Sequence, residues 1–362
     1  MSNPGFTELS ALRARSYRVV QWATGNIGMR ALRTVIEHPG LSLAGLYVYS
    51  DAKAGRDAGE LCGLPPVGVK ATRSIDDILA LKADCVLYMP QSINVDDLCR
   101  LLESGTNVVT TRTEFHLPGR MDPAVRQRIE DACRRGGSSI HSTGSSPGLI
   151  TEALPLALLS IQRRLDVLRI HEYADCSSRN SPEMIFQIMG FGQAPNPQAE
   201  AGRVHHLRAA FGPSLQALAE ALGLSFDNIE GHGDVAFARR NTTIAAGVIE
   251  AGTVGALRTT VSGMRKGRPL ISFTANWFVT TELDKDWDLR GDGWRVEVAG
   301  DAPLDMDLRF TVAAEHKAAT TPGYTAHRAV NAVPYVCEAA AGIRTCAELP
   351  QIIADLREPG TG

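Results

Sequence analysis

The sequence lacks the signals that mark membrane-spanning and nucleic-acid-binding proteins. It contains no run of about 18 apolar residues, the length needed to cross a bilayer. Its 37 basic residues are matched by 40 acidic ones, so a net charge of -3 offers no positive field to a nucleic acid. The first 16 residues contain no apolar segment of the kind that directs secretion. We therefore expect a cytoplasmic globular protein with no nucleic-acid or membrane partner.

Patterned cysteines and histidines are also missing. The seven cysteines are odd in number and scattered, and no Cys-x-x-Cys pair occurs, so neither a disulfide framework nor a zinc ribbon is expected. No His-Glu-x-x-His pattern is present, and no metal site is predicted. The unpaired, scattered pattern of the cysteines favours a reducing compartment.

What the sequence does contain is a regular alternation of short apolar segments and helical segments after residue 16. The length of 362 residues corresponds to two domains. Strands of the first domain are predicted at 17–23, 41–49, 84–89, 107–111 and 138–141. Helices are predicted at 7–15, 29–37, 74–81, 95–104 and 123–135. The alternation predicts an α/β fold with a doubly wound parallel sheet.

The pattern changes after residue 150, where longer strands dominate. These strands are predicted at 165–176, 234–240, 254–264, 270–280, 294–298 and 306–312, with a hairpin turn at 266–269. Helices are predicted at 151–161, 182–189, 214–222 and 325–341, and a mobile loop at 194–202. We expect an extension at 1–16, a dinucleotide-binding domain at 17–150 and an α+β domain with a largely antiparallel sheet at 151–322. Residues 323–362 are expected to return to the first domain as a C-terminal helix.

A glycine-containing turn between the first strand and the first helix predicts a nucleotide site. The segment Ala23-Thr-Gly-Asn-Ile-Gly28 stands where a dinucleotide fingerprint would, although Ala23 replaces its first glycine. Gly25 would let a pyrophosphate approach the backbone, and Gly28 would let strand and helix pack closely. The helix N-terminus supplies free N–H groups for the anion. The predicted cofactor-binding residues of this turn are Thr24, Gly25, Asn26, Ile27 and Gly28.

The end of the second strand favours NADP over NAD. Ser50, Lys53 and Arg56 could bind a ribose 2′-phosphate, whereas Asp51 argues for the 2′-hydroxyl of NAD. Ligands of doubly wound sheets bind at the carboxyl ends of the strands. On that basis the further predicted cofactor-binding residues are Tyr88, Pro90, Thr111, Thr143 and Gly144.

Six segments together resemble the 2,4-diaminopentanoate dehydrogenase family, to which the native amine dehydrogenases belong. They are Gln21–Gly28, Gly55–Leu61, Thr110–Pro118, Gly144–Gly148, Met189–Gly192 and Ala329–Pro334. The resemblance implies a Rossmann domain, an NAD(P)-dependent homodimer built on the second sheet, and reductive amination of ketones or aldehydes with ammonia. It further implies that Glu114 is the catalytic glutamate and that His171 and Tyr173, on one face of a strand, line the substrate pocket.

A carboxylate suits reductive amination, because it can take a proton from ammonium, return one to the departing hydroxyl and stabilise the cationic iminium. Glu114, beside Phe115 and near Leu117, is expected to be buried in apolar surroundings. The predicted pocket favours small neutral carbonyl compounds, although Arg112 could bind a carboxylate. Two alternatives stay open. One is an imine reductase related to dihydrodipicolinate reductase, although this chain lacks the lysine of that enzyme after His205-His206. The other is a non-catalytic NADP-binding protein.

Overall fold

The computed structural model describes residues 14–357, so the helix predicted at 7–15 lies almost entirely outside the described residues. Two compact units are present. The first combines the described residues up to 149 with those from 321 onward, and the second comprises residues 150–320.

The first unit is built on a seven-stranded sheet in which every pairing is parallel. Numbered along the whole chain, its strands are β1 (Tyr17–Trp22), β2 (Leu41–Tyr47), β3 (Ala71–Thr72), β4 (Cys85–Tyr88), β5 (Asn107–Thr110), β6 (Ser139–Ser142) and β15 (Gly342–Arg344). The strand order is β15-β6-β5-β4-β1-β2-β3. The helices between the strands are α1 (Asn26–Glu37), α2 (Ala58–Leu61), α3 (Ile75–Ala80), α4 (Val95–Glu103) and α5 (Pro123–Gly136). The predicted doubly wound parallel sheet is confirmed.

Both faces of this sheet are covered, which explains why strands such as β1 and β4 are buried on both faces rather than alternating. On β1, Val20 and Trp22 pack into one apolar cluster, and Val19 packs into a second cluster on the other face. The helix α8 (Lys317–Cys337) contributes Ala329 and Val333 to the second cluster. This helix begins at Lys317, earlier than the predicted residue 325.

Two strands of the first sheet escaped sequence analysis. The strands β3 and β15 have only two and three residues, too few to show a hydrophobic period. The other boundaries shift by a few residues; β2, for example, ends at Tyr47 rather than residue 49. Ser74 caps α3, since its Oγ accepts a hydrogen bond from the backbone N–H of Asp77 at 3.1 Å.

The second unit contains a six-stranded mixed sheet with the order β14-β13-β7-β12-β11-β8. Its strands are β7 (Leu165–Asp175), β8 (Asn228–Phe237), β11 (Val254–Arg265), β12 (Arg268–Phe278), β13 (Gly293–Gly300) and β14 (Leu304–Arg309). A separate hairpin pairs β9 (Thr242–Ile244) with β10 (Gly247–Ile249). The β7–β12 pair is parallel and the other pairs of the large sheet are antiparallel. The predicted hairpin turn is found at Lys266–Gly267, both with positive φ.

One face of this second sheet is covered by α7 (Pro197–Ala221), which follows the short helix α6 (Leu154–Leu159). The ring of Phe211 on α7 stacks on that of Phe273 on β12, with centroids 3.9 Å apart. The mobile loop predicted at 194–202 is wrong from residue 197 onward, because Asn196 caps the helix by accepting hydrogen bonds from Gln198 and Ala199. Pro197 in the first turn, which suggested a loop, is favourable there. Of the helices within residues 14–357, none combines the length and apolarity that a bilayer crossing requires.

Candidate cofactor and substrate sites

The glycine turn has the geometry that a dinucleotide requires. A Cβ on Gly28 would lie 2.2 Å from the carbonyl oxygen of Ala23, so only glycine allows this contact between α1 and the turn. A Cβ on Gly25 would have nothing within 4 Å, which leaves the backbone open to a ligand. No side chain caps the N-terminus of α1, and its N–H groups remain available to an anion.

Ala23 adopts a left-handed conformation with φ of 76°, which explains why this fingerprint position normally carries glycine. The strain costs an alanine roughly 1–2 kcal/mol. Gln21, fully buried, stabilises the turn by donating hydrogen bonds from Nε2 to the carbonyl oxygens of Trp22 and Ala23, at 3.2 and 2.9 Å. Sequence analysis assigned Gln21 no role, although a polar residue inside a buried strand is the signal that could have done so.

Lys53 lies at the turn rather than beside the end of β2. Its Nζ donates to Thr24 Oγ1 at 3.0 Å and to the Thr24 carbonyl oxygen at 3.2 Å. Ser50 and Arg56 are exposed, and within residues 14–357 Arg56 forms no ion pair. Asp51 pairs with Arg73. The three residues predicted to bind a 2′-phosphate are therefore divided between two places.

The remaining predicted cofactor residues have mixed surroundings. Asn26 accepts a hydrogen bond from Arg30, and Ile27 is half-buried. The ring of Tyr88 is fully buried, its hydroxyl accepts from the Asn94 N–H at 3.1 Å, and burial raises its pKa to about 12. Pro90, Thr143 and Gly144 are buried and Thr111 is half-buried. The side chain of Tyr88 is thus turned into the core and leaves only its backbone for a ligand.

Glu114 stands just after β5 and is ion-paired. Its Oε1 accepts a hydrogen bond from Arg112 Nη2 at 2.6 Å, and Arg112 Nη1 donates to the Gln91 carbonyl oxygen at 2.8 Å. The Glu114 side chain is 40% exposed. The expectation of a buried acid in apolar surroundings is therefore wrong: Phe115 turns inward, and Glu114 points away from it beside a cation. Arg112, which could have bound a carboxylate ligand, is engaged by Glu114.

His171 and Tyr173 share the face of β7 opposite to α7, as the alternation predicts. His171 Nε2 lies 3.1 Å from Glu297 Oε2, and burial lowers the pKa of His171 against the opposing effect of Glu297. Tyr173 is 5% exposed and lies between Asn276 on β12 and Gly293 on β13 in the sheet register. We call this side of the sheet the polar face; its central members are Thr260, Thr274, His171, Tyr173 and Arg295.

Glu172, between those two residues, points to the opposite side, which α7 covers. Its Oε1 accepts from Trp277 Nε1 at 3.3 Å and its Oε2 accepts from Trp294 Nε1 at 3.1 Å. Sequence analysis assigned Glu172 no role. Within residues 14–357, no group of three or more His, Cys, Asp and Glu side chains is arranged to hold a metal ion.

A parallel seven-stranded sheet with an open glycine turn, in a chain that also carries a mixed-sheet unit, defines the Rossmann-type dinucleotide-binding class of proteins. The solved amine dehydrogenase of Mycobacterium smegmatis has the same fold, with a TM-score of 0.72 at 20% identity over 95% of this chain and 98% of that one.

Sequence comparison identifies the family of the chain within this class. An amine dehydrogenase of Streptomyces virginiae is 30% identical over 343 residues, covering 91% of this chain and 95% of the relative. The family model of the 2,4-diaminopentanoate dehydrogenase C-terminal domain matches residues 182–358. A 4-hydroxy-tetrahydrodipicolinate reductase of Rhodopseudomonas palustris is 42% identical over only 67 residues, 18% of this chain and 24% of that protein. The chain belongs to the amine dehydrogenase family, which confirms the resemblance drawn from its motifs.

Proposed function

We propose that this protein is an NADP-dependent amine dehydrogenase that reductively aminates small aliphatic ketones or aldehydes with ammonia and oxidises amines in reverse. The observation that carries the proposal is the Arg112–Glu114 pair directly after β5, at the carboxyl edge of a sheet whose glycine turn fits a dinucleotide. Family membership supports the same reaction class.

Glu114 is proposed to handle protons and positive charge. Arg112 holds one carboxylate oxygen, Oε1, and the other makes no hydrogen bond with the described residues, so Oε2 remains able to accept a proton from ammonium. The ammonia formed in this way then attacks the carbonyl carbon to give a carbinolamine. The same carboxyl group returns the proton to the departing hydroxyl, and its charge stabilises the resulting iminium. When bound, the nicotinamide supplies the hydride.

Residues at the glycine turn are proposed to hold the cofactor. The N-terminus of α1 and the Lys53 ammonium would bind the pyrophosphate, while exposed Ser50 and Arg56 would bind the 2′-phosphate. Asp51 is already paired with Arg73, which favours NADP because the carboxylate expected to bind an NAD ribose is engaged elsewhere.

The substrate is proposed to be a small carbonyl compound that binds near His171 and Tyr173.

The protein is further proposed to be a homodimer. On β11 and β12 the polar face carries short hydroxyl side chains, with Thr260 and Thr274 hydroxyls 3.0 Å apart and Ser262 and Ser272 hydroxyls 2.9 Å apart. Short side chains on these two strands would let the same strands of a second copy approach closely in an isologous contact. Light scattering should give a dimer mass for the native chain and a monomer mass for Thr274→Lys, whereas Ser42→Lys, at an exposed position of β2, should remain dimeric.

The reaction is tested by following the absorbance of NADPH and NADH with a panel of aliphatic ketones and aldehydes, with and without ammonium. We expect turnover that requires ammonium and is faster with NADPH. Glu114→Gln should lower kcat by about 100-fold or more while leaving NADPH binding and Tm unchanged. The control Glu130→Gln, which breaks a surface pair with Arg126, should retain full activity.

Three results would contradict the proposal in different ways. Turnover of a preformed imine but not of ketone with ammonium would indicate an imine reductase. Cofactor binding without turnover on any carbonyl would indicate a non-catalytic protein. A Glu114→Gln variant within a few-fold of the native rate would remove the proposed role of Glu114.

A further inference from the structure

Gln21 is a fully buried amide near the carboxyl end of β1, directly before the glycine turn. Its Nε2 donates to the Ala23 carbonyl oxygen at 2.9 Å and to the Trp22 carbonyl oxygen at 3.2 Å. Its Oε1 is also buried and accepts no hydrogen bond from residues 14–357. A buried acceptor without a donor is destabilising, and an apolar side chain would bury no such acceptor. Stability alone therefore does not explain a glutamine at this position.

The hydrogen bond from Gln21 fixes the direction of the peptide group between Ala23 and Thr24. The Ala23 carbonyl oxygen lies only 2.2 Å from the position that a Cβ on Gly28 would occupy, so it points beneath α1. Because this peptide bond is trans, its N–H points in the opposite direction, away from the Gln21 amide. The Thr24 N–H makes no hydrogen bond within residues 14–357 and is available to a ligand.

The conformation of Ala23 makes this support necessary. Alanine is strained at a φ of 76°, where glycine is not. A change of Ala23 to the right-handed region would rotate both of its backbone dihedral angles and redirect the peptide group that carries the Thr24 N–H. The hydrogen bond from Gln21 opposes this change, because it forms only while the Ala23 carbonyl oxygen points inward.

Lys53 holds the next peptide group of the turn in a similar way. Its Nζ donates to the Thr24 carbonyl oxygen at 3.2 Å, and the Gly25 N–H points away from that oxygen across a trans peptide bond. In the described part of the chain the Gly25 N–H, like that of Thr24, makes no hydrogen bond. Successive free N–H groups next to a helix N-terminus form a concavity that binds anions.

We propose that Gln21 is a positioning residue for the cofactor pyrophosphate, since it holds the Ala23–Thr24 peptide group with the Thr24 N–H directed to a pyrophosphate oxygen. Gln21 acts through the backbone and does not itself touch the cofactor. The inference rests on the cofactor of the proposed function but not on amine chemistry, so it is tested by ligand binding to the full chain.

The test compares ligands that contain a pyrophosphate with one that lacks it. Fluorescence titration gives the affinity of NADPH, and displacement of NADPH gives those of ADP-ribose and adenosine. Gln21→Met keeps the size of the side chain but removes the N–H donor. We expect it to weaken NADPH and ADP-ribose about tenfold and to leave adenosine unchanged. Thermal unfolding of the free chain measures the accompanying loss of stability separately.

Asn107→Leu is a matched control at the other edge of the same sheet. Asn107 is the first residue of β5, and its Nδ2 donates to the Asp84 carbonyl oxygen at 3.0 Å while its Oδ1 accepts from the Ser139 N–H at 2.8 Å. The substitution removes two hydrogen bonds between an amide and the backbone, so it should lower Tm. It should leave the affinities of all three ligands unchanged, because the amino edge of the sheet is remote from the glycine turn.

The proposal is overturned if Gln21→Met weakens all three ligands equally or none of them, or if Asn107→Leu weakens NADPH to the same extent. If Gln21→Met fails to fold, the comparison is repeated in an Ala23→Gly background, where glycine removes the backbone strain. A native chain that binds neither NADPH nor ADP-ribose would refute both this inference and the proposed function. Tight binding of both in a chain that turns over no amine would refute the proposed function alone.

Discussion

Lys53 Nζ lies 3.0 Å from Thr24 Oγ1, so a lysine that follows β2 in the chain places its charge at the glycine turn before α1. Arg56, three residues later, remains exposed. We therefore expect the two cations to contact different parts of a bound dinucleotide.

This division predicts different losses of cofactor affinity. Lys53→Met should weaken NADPH and NADH binding about tenfold each, because both cofactors contain the pyrophosphate. Arg56→Met should weaken NADPH by a similar factor and leave NADH unchanged, since only NADPH carries the 2′-phosphate. Fluorescence titration of the reduced cofactors measures both. The assignment of Lys53 would be wrong if its variant discriminated between the two cofactors as Arg56→Met does.

The two glycines of the turn should separate stability from ligand binding. Gly28→Ala would drive a methyl group into the Ala23 carbonyl oxygen and should lower the free energy of unfolding by about 1–3 kcal/mol. Gly25→Ala meets no protein atom and should leave the Tm of the free chain unchanged while reducing the thermal shift produced by NADPH. Thermal unfolding with and without NADPH tests both, and an unaltered NADPH shift in Gly25→Ala would contradict an approach of the cofactor to this backbone.

Removing one member of a buried hydrogen-bond network in the second unit should lower the stability of the protein without lowering its catalytic activity. The fully buried Ser214 donates from Oγ to Glu152 Oε1 at 2.5 Å and lies 2.6 Å from Thr151 Oγ1. Ser214→Ala removes a donor from a buried carboxylate and should lower the free energy of unfolding by about 1–3 kcal/mol in urea denaturation. The exposed Ser160, which bonds only the Ala157 carbonyl oxygen, gives the control Ser160→Ala, expected within about 0.5 kcal/mol of the native value.

The stability of the chain should fall on mild acidification partly because of His171. Burial lowers the pKa of His171 below its usual 6.5, so the unfolded chain binds the proton more readily than the folded one. The contribution is fully present above pH 6.5 and is lost as pH falls from there through the folded pKa, with a slope of at most about 1.4 kcal/mol per pH unit. Urea unfolding between pH 7.5 and 5 should show a shallower decline for His171→Gln. An equal decline in the free energy of unfolding of the native chain and of His171→Gln would show that other titratable groups cause the pH dependence.

Much of the architecture could be predicted because it is encoded locally. Strands β1, β4 and β5 are short, mainly apolar segments because both faces of the sheet are buried, and Gly, Pro and Ser residues separate the strands from amphipathic helices. The strands β3 and β15 could not be found, because two or three residues acquire strand structure only by pairing with a neighbour. The part of α7 before residue 214 was missed, because its first proline and capping asparagine also occur in loops and Pro213 interrupts the helical pattern.

The sequence by itself determined the parallel sheet, the glycine turn and the family, because these depend on residue types at short, ordered spacings. Tertiary structure alone decided that Lys53 reaches Thr24, that Glu114 is exposed beside Arg112, and that Glu172 accepts hydrogen bonds from two indoles. The physical reason is that charges and hydrogen bonds act between side chains brought together by folding. A pattern along the chain specifies which face a residue occupies, but not which partner it meets there.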